Sequence, residues 1–297
     1  MSRSPRLRLR ANTPYVLMVA PALIVFAVFF LIPVIRTAML SVTDRSNHSR
    51  DSNFVGLDNY VEALTNPQIL AGIEHSLIYA VAVVLLQNAI AIPVALLVHS
   101  RIPFRGAFRT IFFGPAVLSV LVVGYLWSYI LSSNDYGLLN TALGGLGLPS
   151  VNWLGDANLS LGSIVATQVW QWFGYQMVIY LAALETINPD LYEAASLDGA
   201  GRWAQFRTIT MPGLIPAFQI TIVTGLISGL KVFDIVISMT NGGPGYATET
   251  VLTLMYRKFS EGNYGVAASF GILFLIVSLL LGSVLLRFFR RLEARYS

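Results

Sequence analysis

The sequence predicts an all-α, polytopic membrane protein with six transmembrane helices, and three observations carry that reading. Mean hydropathy is +0.67; 55% of the 297 residues are hydrophobic and only 11% are charged; and the apolar residues gather in runs long enough to cross a bilayer. A helix satisfies its own backbone hydrogen bonds and rises about 1.5 Å per residue, so about 20 apolar residues span the hydrocarbon core.

The runs cover residues 15–40, 76–98, 110–131, 161–184, 213–237 and 264–288. The first is too long for the apolar core of a secretion signal and lacks a small-residue cleavage site, so it is expected to remain as a span. Stretches near Met39 and Val151 are too short or too polar to add a seventh, which puts both termini on one side. Arg3, Arg6, Arg8 and Arg10 precede the first run, and Arg101, Arg105 and Arg109 fill the turn after the second. Arg202 and Arg207 follow the fourth, while Arg287, Arg290, Arg291 and Arg295 end the chain. The opposite loops hold Arg45, Arg50, Arg257 and Lys258, so the positive-inside bias places both termini in the cytoplasm. The formal charge of +4 is therefore spread along membrane boundaries, which disfavours nucleic acid as a partner and makes membrane lipid the surroundings.

Several chemistries lack their residues. A phosphate-binding loop needs Gly-Lys-Ser/Thr, but the only lysines, Lys231 and Lys258, follow Leu230 and Arg257. The glycine-rich run 241–245 follows the fifth apolar run and reads as a turn. His48, His75 and His99 do not form a zinc-protease pair, and the absence of cysteine excludes disulfides and thiolate metal sites. No paired aspartates or serine with a base suggest intramembrane proteolysis. The chain is therefore read as a non-enzyme that binds neither metal nor cofactor.

The segment 185–212, between the fourth and fifth runs, is the least hydrophobic helical stretch. Asn188 suits an N-cap, Pro189 a position needing no amide hydrogen, and Asp190 the positive end of the helix dipole. Gly199 and Gly201 should stop that helix. Leu191, Ala194, Ala195 and Asp198 then share one shallow face suited to close docking. Residues 202–210 fit a second short helix, with Trp203, Phe206 and Ile209 at helical spacing and Pro212 opening the fifth run.

These residues resemble the signature of the inner-membrane permeases of binding-protein-dependent ABC importers: Glu-Ala-Ala, three residues, Gly, nine residues, then Ile-x-Leu-Pro. Here Glu193, Ala194, Ala195, Gly199, Ile209 and Pro212 match, and Met211 stands in for the leucine with similar volume and flexibility. Three further stretches, 54–60 (FVGLDNY), 108–127 (FRTIFFGPAVLSVLVVGYLW) and 230–250 (LKVFDIVISMTNGGPGYATET), resemble the carbohydrate-uptake permeases akin to the larger maltose-system subunit, without its large inserted periplasmic domain. The resemblance implies a type I ABC importer permease fold and a subunit that forms the translocation path for a sugar or oligosaccharide. It also implies docking on a separate ATPase through Glu193, Ala194, Ala195, Asp198, Gly199, Ile209 and Pro212. The implied partners are a second homologous permease, two ATPase subunits that use ATP and Mg, and an extracytoplasmic solute-binding protein.

Polar stripes inside spans mark a candidate substrate path, because side chains that can hydrogen-bond avoid lipid. Gln168, Gln171, Trp172 and Tyr175 share one face of the fourth run, offering amides and flat rings suited to sugar hydroxyls and C–H faces. Thr224, Ser228, Lys231 and Asp234 follow in the fifth, along with Thr221. Lys231 and Asp234 at i, i+3 can neutralise each other locally, and Gly225 with Gly229 suits close helix packing, as at a two-permease interface. The alternative is an ion-driven secondary transporter or a channel. Against it stand the six runs, the absence of an acidic residue at mid-span, and the lack of a filter motif. The expected organisation is a first part at 1–74, a core of five spans at 75–288 with the coupling loop at 185–212, and a basic tail at 289–297.

Overall fold

The computed structural model describes residues 18–47, 52–100, 103–134 and 137–296, with side chains described as far as Phe289. Arg3, Arg6, Arg8, Arg10, His48, Arg50 and Arg101, and the side chains of Arg290, Arg291 and Arg295, lie outside that description. The helices in order are α1 (Met18–Leu40), α2 (Asp58–Thr65), α3 (Pro67–His99) and α4 (Arg105–Val117) with α5 (Val120–Ile130). Then come α6 (Leu138–Gly145), α7 (Ala157–Glu185), α8 (Asp190–Leu197), and α9 (Arg202–Gly213) with α10 (Ile215–Leu230). The last are α11 (Asp234–Met239), α12 (Val251–Ser260) and α13 (Tyr264–Tyr296). The sole β feature among the described residues is a bridge between Thr43 and Phe54.

Three helices, α1, α3 and the 264–289 part of α13, are long and apolar enough to cross a membrane on their own, and bent pairs raise the number to five. The remaining run, the fourth, is α7, whose 29 residues span about 43 Å at 1.5 Å each. It falls short on composition because its polar side chains face other helices, and Ser160, Thr167, Gln171 and Gln176 are all buried.

Two runs read as straight spans are broken. The third bends by 97° between α4 and α5, where Pro115 follows Gly114 and Leu118 turns extended at ψ 145°. The fifth stops at Leu230, short of the expected 237, before α11 restarts the helix at Asp234; the 57° bend between α9 and α10 falls at its start, next to the short helix expected at 202–210. Two π-turns, Ala27–Leu31 and Phe206–Thr210, end just before Ile32-Pro33 and Met211-Pro212. In each, the residue before proline bonds to a carbonyl five residues back, Ile32 to Ala27 and Met211 to Phe206. That widening eases the clash between a proline ring and the carbonyl four residues earlier.

The chain divides into two compact units, one running to Leu64 and taking in Arg257–Leu273, the other comprising Thr65–Tyr256 and the chain from Phe274 onward. In the first, buried Asn59 donates to the carbonyls of Ser41 and Thr43 at 2.9 and 2.8 Å, tying α2 to the end of α1. The apolar side chains of α1 have no buried residue among them, as a lipid-facing span requires.

The second unit is built on α3, α7 and α10, which pack together. Its apolar contacts fall in two clusters, one around Tyr79, Val123, Ile164 and Val236 and the other around Ala91, Ala95, Met177, Leu184 and Leu214. Gly225 and Gly229 face Val84 and Ala80 of α3, and a Cβ on Gly229 would sit 2.7 Å from the Ala80 Cα. Their small-residue seam therefore joins two helices of this chain, which corrects the reading of it as a surface for a second permease.

Candidate functional site

A cavity of about 370 Å³ opens in the second unit among α3, α7 and α10 and at the break after Leu230. Of the path residues named from sequence, Gln168, Trp172, Tyr175, Thr224, Ser228, Lys231 and Asp234 line it. Gln171 does not. It is fully buried, and its amide donates to the Leu118 carbonyl at 3.0 Å. The extended backbone at Leu118 leaves that carbonyl outside both α4 and α5, so the glutamine completes the bend.

Three of the lining residues hold a polar atom tucked behind the wall without a partner. Gln168 Oε1, Gln176 Oε1 and Trp172 Nε1 are buried and accept or donate no hydrogen bond among the described residues. An unpaired buried group of this kind costs about 1–3 kcal/mol, a cost that a water or solute hydroxyl in the adjoining space would remove. Trp172 and Tyr175 meet edge to face at 5.9 Å, so flat rings and amides alternate along the wall.

Lys231 and Asp234 form no ion pair among the described residues, and both are exposed. The expected i, i+3 neutralisation fails because α10 ends at Leu230, and Phe233 adopts φ −144° and ψ −63°, which removes the helical spacing between them. One cation and one anion thus remain available at the cavity.

Sequence reasoning missed Gln87, Asn88 and Tyr180. Gln176 donates to Gln87 Oε1 at 2.6 Å, and Gln87 donates to the Gln168 carbonyl at 3.1 Å. One step along, Tyr180 donates to Asn88 Oδ1, and the Thr221 hydroxyl lies 2.9 Å from that oxygen and 2.8 Å from Tyr180 Oη. The signal was there: two adjacent amides interrupt an otherwise apolar run, and intramembrane polar residues seldom lack a role.

The loop between α7 and α10 forms as its residues dictate. Asn188 Oδ1 accepts from the Asp190 amide at 3.0 Å, capping α8. At the other end Gly199 has φ +77°. The Ala200 amide reaches back to the Ala195 carbonyl at 2.9 Å and the Gly199 amide to that of Ser196 at 3.1 Å, a Schellman closure. Tyr192 and Thr210 hydroxyls meet at 3.0 Å and Gln205 donates to Ser196 Oγ at 2.9 Å, holding α8 against α9. Glu193, Ala194 and Asp198 are exposed, Ala195, Ile209 and Pro212 half-buried. The Glu193 carboxylate makes no bond to another described side chain. Leu197 and Trp203 stand 90% and 73% exposed, an apolar surface of the kind that partners cover.

A helical bundle with a polar cavity beside a broken span, and a capped amphipathic loop between two spans, defines a polytopic membrane permease. Residues 87–297 match the family described as binding-protein-dependent transport system inner membrane component, and the chain belongs to that family. It is 34% identical over 282 residues to a probable ABC transporter permease, YurN, of Bacillus subtilis, covering 93% of this chain and 96% of that one. It is 32% identical over 263 residues to the trehalose/maltose transport system permease MalF of Thermococcus litoralis, covering 89% of each. Among solved structures, a bacterial alginate ABC transporter in complex with a pentasaccharide-bound periplasmic protein contains a chain that superposes with a TM-score of 0.85 at 26% identity, covering 98% of this chain and 99% of that one. The fold is that of a type I ABC importer permease.

Proposed function

We propose that this chain is the translocation subunit of an ATP-driven importer of a sugar or oligosaccharide, working with a second homologous permease, two ATPase subunits and an extracytoplasmic solute-binding protein. The observation that carries the proposal is the cavity at the broken fifth span. Unpaired Gln168 and Gln176 oxygens and the Trp172 indole N–H supply acceptors and a donor, and Tyr175 and Trp172 supply flat faces. That combination suits a neutral, polyhydroxylated solute better than an ion or an apolar one. The names of the relatives, which include a trehalose/maltose permease, support the same class.

In this reading Lys231 and Asp234 contact solute hydroxyls at the cavity, with Thr224 and Ser228 of α10 lining it as well. The exposed face of α8, with Glu193, Ala194, Ala195 and Asp198, docks on the ATPase. Gly199, Ile209 and Pro212 shape the loop that carries the motion into α10. ATP and Mg act in the partner subunit, and both termini lie in the cytoplasm, on the side of α8 and α9. The first part at 1–74 and the tail at 289–297 flank the core that forms the path.

Mild-detergent purification of the tagged chain from its native membrane, with mass spectrometry of the co-purifying proteins, tests the assembly. Recovery of an ATPase, a second permease and a solute-binding protein is the expected result. Recovery of the chain alone, in a preparation that moves solute without ATP, favours an ion-driven transporter or a channel.

A further inference from the structure

We propose that Asn88, Tyr180 and Thr221, with Gln87 beside them, are positioning residues that make the cavity walls follow the coupling loop; the inference rests on the importer reading above. The three side chains meet deep inside the second unit, with Tyr180 0%, Thr221 1% and Asn88 7% exposed. Each comes from a different span: Asn88 from α3, Tyr180 from α7 and Thr221 from α10. The Asn88 amide group donates to the Val84 carbonyl at 2.7 Å, which turns Oδ1 toward the two hydroxyls.

Their position along each helix gives the joint its role. On α3 the cavity-lining Tyr79, Val83 and Gln87 precede Asn88, and on α7 Gln168, Trp172 and Gln176 precede Tyr180. Helix α10 runs the other way, leaving the coupling loop, and its cavity-lining residues begin with Thr221 itself and continue through Thr224 and Ser228. On all three helices the joint therefore sits at the coupling-loop end of the cavity. Past it the packing is apolar, with Ala91, Ala95, Leu181, Leu184, Leu214 and Ala217.

A continuous series of contacts then links the docking helix to the cavity wall. Tyr192 of α8 meets Thr210 of α9 at 3.0 Å, and α9 leads through Pro212 into α10 and Thr221. Thr221 is bonded to Asn88. The neighbouring Gln87 holds Gln176 and the Gln168 backbone, both on the cavity wall. Adjacent residues on a helix point about 100° apart, so on α3 Gln87 reaches α7 alone while Asn88 reaches both α7 and α10. Apolar contacts let helices slide, whereas hydrogen bonds in apolar surroundings are either made or broken. The polar joint fixes the register of α10 against α3 and α7, so a shift of α8 displaces all three walls together.

The experiment measures solute imported per ATP hydrolysed by the whole reconstituted complex carrying Tyr180→Phe, Thr221→Val or Thr221→Ser. Phe and Val keep shape and lose the hydroxyl; Ser restores it. The expected result is at least a threefold fall in the ratio for Tyr180→Phe and Thr221→Val, with complex yield preserved and ATP hydrolysis continuing, and a ratio restored toward the parent in Thr221→Ser. A ratio unchanged in both deletions overturns the proposal even if thermal stability falls, since a purely structural joint moves stability alone. A parent complex whose uptake does not depend on ATP overturns the importer reading itself, and the two failures are thereby told apart.

Discussion

Arg109 donates to Glu185 Oε1 at 2.8 Å, joining the start of α4 to the last residue of α7, where the loop leading to α8 begins. The side chains are 39% and 57% exposed, so water screens the pair. A double-mutant cycle of Arg109→Ala and Glu185→Ala is expected to give a coupling energy of about 0.2–1 kcal/mol, shrinking as salt is raised. Thermal unfolding of the purified complex at two ionic strengths measures it; a coupling of several kcal/mol would mean that the pair is shielded in the assembly.

Glu193 is exposed and unbonded to any described side chain, so Glu193→Ala removes no internal support. The variant is expected to insert and fold as the parent does while losing most ATP-dependent uptake. Co-purification of the ATPase and uptake in vesicles, measured together, check it, and full uptake would remove Glu193 from the proposed coupling surface.

At Gly174 a Cβ would lie 1.8 Å from the carbonyl oxygen of Phe112, a backbone atom of α4, which packs on α7. Gly174→Ala must push those helices apart, at an expected cost of about 1–3 kcal/mol. Gly162→Ala, on the same helix with open space around its Cβ, is the control expected to leave the melting temperature nearly unchanged.

Trp172→Phe keeps a flat ring and deletes the unpaired indole N–H. If that donor meets a solute hydroxyl, uptake at subsaturating solute should fall about 5- to 10-fold, the loss expected for one hydrogen bond worth about 1 kcal/mol or slightly more, with little change in complex stability. Equal uptake by both would assign the indole N–H to water.

The apolar runs and the cap grammar of α8 were legible because both depend on local rules: hydropathy over about 20 residues, and Asn188, Pro189 and Gly199 at fixed offsets. Most of the cavity residues were legible too, since amides and hydroxyls at helical spacing inside an apolar run stand out. What the sequence hid were breaks and partners. Apolar residues flank both Leu118 and Lys231, so each run reads as continuous, yet the backbone turns at both, and those turns separated Lys231 from Asp234 and drew Gln171 away to Leu118. Whether a glycine seam faces the same chain or another one depends on tertiary packing that spacing does not encode.

The interruption after Leu230 sets a condition on the empty transporter. Ending one helix and starting another a few residues later takes amides and carbonyls out of the helical ladder; some find partners in the chain, as the Val232 carbonyl does with Thr250 Oγ1 at 3.0 Å, and lipid has no means of satisfying the rest. That site must stay hydrated, so an arriving solute trades places with ordered water instead of filling a dry void. Exchange of this kind yields only a modest net gain on binding, because each new hydrogen bond replaces an existing one. A carrier benefits from such shallow wells: a solute held loosely at the break would also be quickly let go.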